Sequence, residues 1–186
     1  MWYPAAVSAP ATEPITLAQA KAHLRVDHSD DDTVITGLIK AARAHIENAC
    51  AVRFAARTGV TFKCDSFGDM ARLPEAPVTS ITSITYLDTT GASQTLAGIV
   101  YELRADGLEA GVVLKTDQTW PATQPGSRIT VTAAIGYSTA PEDLAHAMLM
   151  LVSHFYDNRS TLSVGESVSE LPFSVNALIC NYRRGP

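Results

Sequence analysis

Val34-Ile35-Thr36-Gly37-Leu38-Ile39-Lys40-Ala41-Ala42-Arg43-Ala44-His45-Ile46-Glu47-Asn48-Ala49 settles the character of the first third of the chain. Val34, Ile35, Leu38, Ile39, Ala42, Ile46 and Ala49 recur at three- and four-residue steps, so one side of a helix is apolar. Lys40, Arg43 and Glu47 fall off that side. The preceding aspartates, Asp27, Asp30, Asp31 and Asp32, suit the positive end of the helix dipole. From about Thr58 the pattern changes. Thr, Val, Ile and Tyr dominate up to Gly136, and turn residues recur about every ten positions, which reads as strands.

Working outward, Thr16-x-x-Gln19 has the form of a capping box ahead of Leu17, Ala20 and Leu24, predicting a short helix that ends near Arg25. Inside the strand region, Ile129, Val131, Ala133 and Ile135 alternate with Thr130, Thr132 and Ala134, the pattern of a half-buried strand. Ile84-Thr85-Tyr86-Leu87 runs into the turn Asp88-Thr89-Thr90-Gly91 and on to Ser93–Leu96; Asp106-Gly107 and Pro125-Gly126 mark further turns. Five to seven short strands are expected. Helix returns at Thr139-x-x-Glu142, a second capping box with Pro141 in the first turn, carrying Leu144, Met148, Leu151, Val152 and Phe155 to about Asn158. Ser160–Glu170 is a Ser/Val/Gly stretch expected to be mobile. Pro172 opens a last helix with Val175, Leu178, Ile179 and Tyr182 on one side.

The expected class is α+β: a bundle of about four helices interrupted by a small antiparallel β-unit. Its parts are an extended lead-in (1–14), N-terminal helices (15–57), the inserted β-unit (58–137), a bundle helix (138–159), a linker (160–170) and a C-terminal helix and tail (171–186).

Composition narrows the function. The 186 residues hold 14 Lys+Arg and 19 Asp+Glu, a net charge of −5, and 18% are charged. A chain gripping nucleic acid by its phosphates needs a basic face, which this balance does not supply. By segment, residues 1–57 are neutral, 58–137 carry −3 and 138–186 carry −2. A surface with less charge than the usual quarter is suited to being covered by other protein. The N-terminus lacks the charged start and apolar run of a signal peptide, and no run of 18 apolar residues occurs, so neither export nor a membrane span is expected.

Motifs for chemistry are missing. Cys50, Cys64 and Cys180 are odd in number, far apart and outside any zinc spacing, as for buried or idle thiols in a reducing compartment. Counted from Asp27, an EF-hand loop would need Gly at Asp32 and Glu at Leu38. His146 and His154 lie two turns apart, about 12 Å, too far to share a metal ion. His23, His28 and His45 have no Cys or carboxylate at motif spacing. No G-x-S-x-G elbow or P-loop occurs, Gly165 stands alone, and Asn158-Arg159-Ser160 is a glycosylation sequon without a secretory signal. No catalytic residue, metal or cofactor is expected. Tyr156-Asp157-Asn158-Arg159-Ser160 mixes an aromatic with a positioned Arg, as protein interfaces do; Arg159 facing the carbonyls of its own helix is the equal alternative.

Ile15-Thr16-Leu17-Ala18-Gln19-Ala20-Lys21-Ala22-His23-Leu24-Arg25-Val26-Asp27, the aspartate run and the amphipathic helix together resemble the opening of tailed-phage head–tail connector proteins. Leu73-Pro74-Glu75-Ala76-Pro77-Val78, Trp120-Pro121-Ala122-Thr123, Ile129-Thr130-Val131-Thr132 with Gly136-Tyr137, His154-Phe155-Tyr156-Asp157-Asn158-Arg159 and Leu171-Pro172 are similar to the longer branch of that family, found in prophages and gene transfer agents. The resemblance spans about residues 15–183 and implies an adaptor: a ring of about twelve copies beneath the portal, closed by a head-to-tail interface. It implies binding to a tail-side stopper or tail-terminator protein, passage of DNA without sequence-specific binding, assembly in the bacterial cytoplasm and residence in the particle neck. It carries over no catalytic residues.

The expected portal or subunit interface is Tyr156, Asn158, Arg159, Glu166, Leu171, Pro172, Phe173, Tyr182, Arg183 and Arg184. Ser160–Glu170 and the final helix are expected to order on meeting the portal. The rival readings are a monomeric ligand- or carbohydrate-binding β-domain using aromatics such as Trp120, and a metal-dependent hydrolase.

Overall fold

A computed structural model describes residues 1–6, 9–158 and 173–185. The chain divides into two compact units, one helical (Thr12–Phe54 and Thr139–Pro186) and one of strands (Met1–Ala11 and Ala55–Ser138). The class is α+β, with four α-helices and antiparallel sheets among the described residues.

In the helical unit, α1 (Leu17–Leu24) starts at the expected capping box: the Thr16 hydroxyl accepts from the Gln19 N–H, and the Gln19 carboxamide oxygen accepts from the Thr16 N–H at 2.8 Å. α2 (Asp32–Cys50) buries Ile35, Ile39, Ala42, Ile46 and Cys50. Val34 and Ala49, which the periodicity places on the apolar side, are exposed, because the buried arc centres on Ile35, Ile39, Ala42 and Ile46. Both helices end on a residue in the left-handed conformation, Arg25 and Ala51, whose N–H groups turn back to the last carbonyls.

α3 (Glu142–Asp157) buries Leu144, Ala147, Met148, Leu151 and Val152. Thr139 does not cap it. Pro141 is the N-cap, at φ −53° and ψ 142°, without a side-chain cap bond. A proline holds the residue before it out of the helical region, so Ala140 stays non-helical and no helix runs through it from a cap at Thr139. α4 (Phe173–Ile179) continues into a 3-10 turn over Cys180–Tyr182 and buries Val175 and Ile179.

In the strand unit, β1 (Trp2–Ala6), β2 (Arg57–Cys64), β3 (Val78–Leu87), β4 (Ser93–Thr95) and β7 (Ile129–Ile135) form one antiparallel sheet in the order β1-β2-β7-β3-β4. β5 (Tyr101–Asp106) and β6 (Glu109–Leu114) make a separate hairpin. β7 is central because its alternation is strict: Ile129, Val131, Ala133 and Ile135 are buried and the residues between them half-buried. Val131 lies opposite Phe62 on one neighbour and Ile84 on the other, giving a buried row across three strands.

The N-terminal residues, expected as a loose lead-in, are paired along β2. The Trp2 indole N–H donates to the carbonyls of Asp69 and Arg72, and its ring stands edge-on to Phe62 at 6.3 Å.

The two ends of the long strand segment meet. Ala55 and Tyr137 form a parallel bridge, and Gly136, at φ +89°, passes so close to the Ala55 carbonyl that a Cβ would lie 2.3 Å from its oxygen. Only glycine fits there. At the β3–β4 turn the Asp88 carboxylate accepts from the Thr90 hydroxyl, the Gln94 amide and the N–H groups of Thr90 and Ala92. The Thr90 hydroxyl, then Gln94, hold this carboxyl far below the usual aspartate range.

Two predictions follow from this geometry. Both tryptophans, Trp2 and Trp120, lie in the strand unit, so their fluorescence reports that unit. Gly136→Ala should destabilise that unit by about 2–4 kcal/mol, read as a lower urea midpoint, through the clash and the left-handed backbone together. The depressed Asp88 carboxyl stabilises the turn above the ordinary aspartate value of about 3.9. That support is lost as pH falls from there through the lower folded value. Amide exchange at Thr90 and Ala92 should therefore quicken below pH about 4 in the native chain, relative to Asp88→Asn.

Candidate functional site

Of the ten residues expected at the portal or subunit interface, six are described: Tyr156, Asn158, Phe173, Tyr182, Arg183 and Arg184. Arg159, Glu166, Leu171 and Pro172, with the Ser160–Glu170 stretch, lie outside the described residues. Tyr156, in the last turn of α3, donates its hydroxyl to the Asp31 carboxylate at the start of α2. Asn158 caps α3, its backbone N–H and its side-chain amide both donating to the His154 carbonyl, the latter at 2.9 Å. Phe173 is 88% exposed. Tyr182 is half-buried, and the Arg183 guanidinium donates to the Asn176 side-chain oxygen at 2.9 Å.

Arg184 donates its backbone N–H to the Cys50 carbonyl at 2.9 Å. Asp31 and Cys50 bracket α2, so the Tyr156 hydroxyl and the Arg184 backbone mark points about 28 Å apart along that helix. The result is two surfaces, one at each end.

The C-terminal helix is already folded against the unit. Val175 and Ile179 are fully buried, and the Cys50 thiol points at the Ile179 carbonyl at 3.8 Å. Its ordering does not wait on a partner, because it fills a core position the isolated chain already needs. What α4 leaves outside is a row made of Phe173, Ala177 and Cys180.

A cluster missed in the sequence lies at the chain's entry to and exit from the helical unit. Glu47 is only 2% exposed, although α2's polar side was its expected place. Arg43 donates to Glu13 at 2.7 Å and to Glu47 at 2.9 Å, Arg53 stands 3.9 Å from Glu47, and the Phe54 N–H donates to Glu47 at 3.0 Å. Burial works against the Arg43 charge, but the Glu13 hydrogen bond and the Glu47 carboxylate outweigh it and hold its pKa raised. The legible signal was the Arg43/Glu47 pair, four apart on one helix; its burial depends on Arg53 and Phe54, which the helical period does not reach.

Burial pushes the thiols of Cys50 and Cys64 up to about 11, so both stay protonated and unreactive at neutral pH. Cys180 is exposed. His23 and His146 meet edge to face at 6.2 Å, and the exposed His154 ring leans on Phe155. Among the described residues no group of three or more His, Cys, Asp or Glu is gathered as a metal site requires. No described helix is long and apolar enough to cross a membrane. Trp120, the expected sugar platform of the carbohydrate reading, is half-buried with its ring stacked on Phe67 at 4.8 Å.

Among known proteins, the description of one family, head completion protein, matches residues 13–185. No curated protein matches the sequence. A chain in the virion of a native gene transfer agent is 25% identical, with a TM-score of 0.75 over 100% of this chain and 96% of its own. A chain in the neck of an empty gene transfer agent particle, computed with C6 symmetry, is 23% identical with a TM-score of 0.75 over 100% and 96%. Another, from the neck of the native particle with C12 symmetry, is 23% identical with a TM-score of 0.70 over 97% and 94%. The last two likenesses show the fold.

The buried carboxylate gives a stability prediction. Glu47→Ala takes one of Arg43's two carboxylate partners, removes the carboxylate beside Arg53 and removes the acceptor of the Phe54 N–H, and should destabilise the helical unit by about 3–5 kcal/mol, read by helical circular dichroism in urea. The thiol environments give another. One thiol, Cys180, should react with a thiol reagent within minutes in the native protein, and all three only after unfolding.

Proposed function

Because this chain belongs to the head completion protein family, we propose that it is a structural, non-enzymatic adaptor of the neck of a tailed-phage-like particle. In this reading about twelve copies close into a ring between the portal and a tail-side stopper or tail-terminator protein. The full-length likeness to a chain of the gene transfer agent virion, 25% identical over 100% of this chain, carries the reading, and the C12 symmetry of one neck is the ground for the copy number. Assembly takes place in the bacterial cytoplasm before the adaptor joins the neck.

The chemistry of the surface supports it. DNA crossing a ring must slide, and a channel that neutralised phosphates with Lys and Arg would hold the duplex by counterion release. A chain of net charge −5 is suited to let it pass. A chain of which only 18% of the residues carry charge is suited to burial against protein on both sides. The portal and subunit contacts are assigned to the C-terminal third, Tyr156 and Asn158 at one end of α2 and Phe173, Tyr182, Arg183 and Arg184 towards the other, with Arg159, Glu166, Leu171 and Pro172 between them in sequence.

The test is assembly. Purified protein, alone and mixed with portal-bearing, tailless particles, should give rings of about twelve copies of the 19.8 kDa chain by mass photometry and negative-stain microscopy. A chain that stays monomeric in both settings would overturn the reading, and a ring whose channel is lined mainly by Lys and Arg would overturn the account of DNA passage.

A further inference from the structure

Two exposed faces of the helical unit are built to the same spacing. On α4 and the turn after it, Phe173, Ala177, Cys180 and Arg184 follow at steps of four, three and four; the first three are exposed and Arg184 is half-buried. On α2, read in the opposite direction, Ala41, Gly37 and Val34 follow at the same steps of four and three, with Asp30 in the turn ahead of the helix, and all four are exposed. The helical part of each row, Ala41 to Val34 and Phe173 to Cys180, is about 10 Å long.

We propose that in the ring, and so resting on the adaptor reading above, the outer face of α4 in one copy lies antiparallel on the outer face of α2 in the next. Phe173 then meets Ala41, Ala177 meets Gly37, Cys180 meets Val34, and Arg183 and Arg184 meet Asp30 and Asp27. A second copy of this chain is the occupant because the ends match in charge as well as in spacing. Asp27 and Asp30 are exposed before α2, while Arg183 and Arg184 follow α4 in a chain that is otherwise acidic.

The shapes also fit. Val34 and Phe173 are two of the large apolar side chains left exposed, at 42% and 88%. A Cβ built on Gly37 meets nothing within 4 Å, and Gly37 lies in an open groove of about 340 Å³ lined also by Asp32, Thr33, Thr36 and Lys40. Gly37 opposite Ala177 lets two helix axes approach to the short end of the usual 8–10 Å. Lys40, beside Ala41, is placed to lie over the Phe173 ring, which favours a cation.

One copy cannot make this contact with itself. Cys180 follows Ile179, whose carbonyl lies at the Cys50 thiol, whereas Val34 is sixteen residues earlier on α2, about 24 Å away. The contact therefore joins two copies through different faces, and such a head-to-tail joint closes into a ring when its rotation divides a full turn.

The test uses the native cysteine. In full-length Val34→Cys, mild oxidation of assembled rings should give a ladder of disulfide-linked multimers on a non-reducing gel, and Val34→Cys/Cys180→Ser should give none. Arg184→Glu should raise the concentration at half-assembly by about tenfold, and Asp30→Arg in the same chain should restore it. Rings that form but yield no ladder, or yield only dimers that persist without Cys180, overturn this contact and leave the adaptor reading standing. Wild-type protein that makes no ring, alone or on portal-bearing particles, overturns the adaptor reading and this contact together.

Discussion

The helical unit depends on one carboxylate. Glu47 sits at 2% exposure near the end of α2 and would be costly there without partners. Arg43 from the same helix, Arg53 just past its end and the Phe54 N–H supply them, and Arg43 reaches on to Glu13. Glu13 lies where the chain enters the unit and Phe54 where it first leaves. The network therefore fixes the two ends of the α1–α2 segment. A buried ion pair of this kind is weak as a source of net stability, because desolvation offsets most of the attraction. Its contribution is to favour one path for the chain: any other exit from α2 would take from the buried Glu47 carboxylate the Phe54 N–H and the nearby Arg53.

Periodicity made the repeating parts legible. The alternation in Ile129–Ile135 gave the central strand, and the three-and-four spacing gave α2 and α3, because burial on one side writes itself into sequence at the period of the element. The turn at Asp88–Gly91 was equally readable, since an Asx turn and a glycine at positive φ are local chemistry. Contacts between distant residues were not readable. Trp2 on Phe62, Glu47 with Arg53, and Gly136 under the Ala55 carbonyl each join positions that no periodic pattern relates. Pro141 shows a local rule misapplied: the capping-box spacing is present, but the proline after Ala140 moves the start of the helix past it.

The same limit explains the expected interface. Tyr156, Asn158 and the C-terminal arginines are near one another in the last sixth of the chain, but nearness in sequence says nothing of where folding carries them. Folding sends the Tyr156 hydroxyl to Asp31 and the Arg184 backbone to Cys50, so α2 separates them by its own length. In the adaptor reading proposed above, a subunit that touches a neighbour on each side has use for two unlike surfaces held apart by something stiff. A 19-residue helix supplies that spacing.

The bridge between Ala55 and Tyr137 has an evolutionary consequence. An insertion whose ends lie side by side closes no larger a gap in its host than a tight turn would, so its length is nearly free to drift. Gene-level gain or loss of the whole segment is then a small step for the helical part. The N-terminal strand complicates that freedom: β1 lies far outside the insertion in sequence yet completes its sheet beside β2. A lineage that shed the insertion would be left with an apolar Trp2 and no strand to pair with, and would be under pressure to trim its own N-terminus in step.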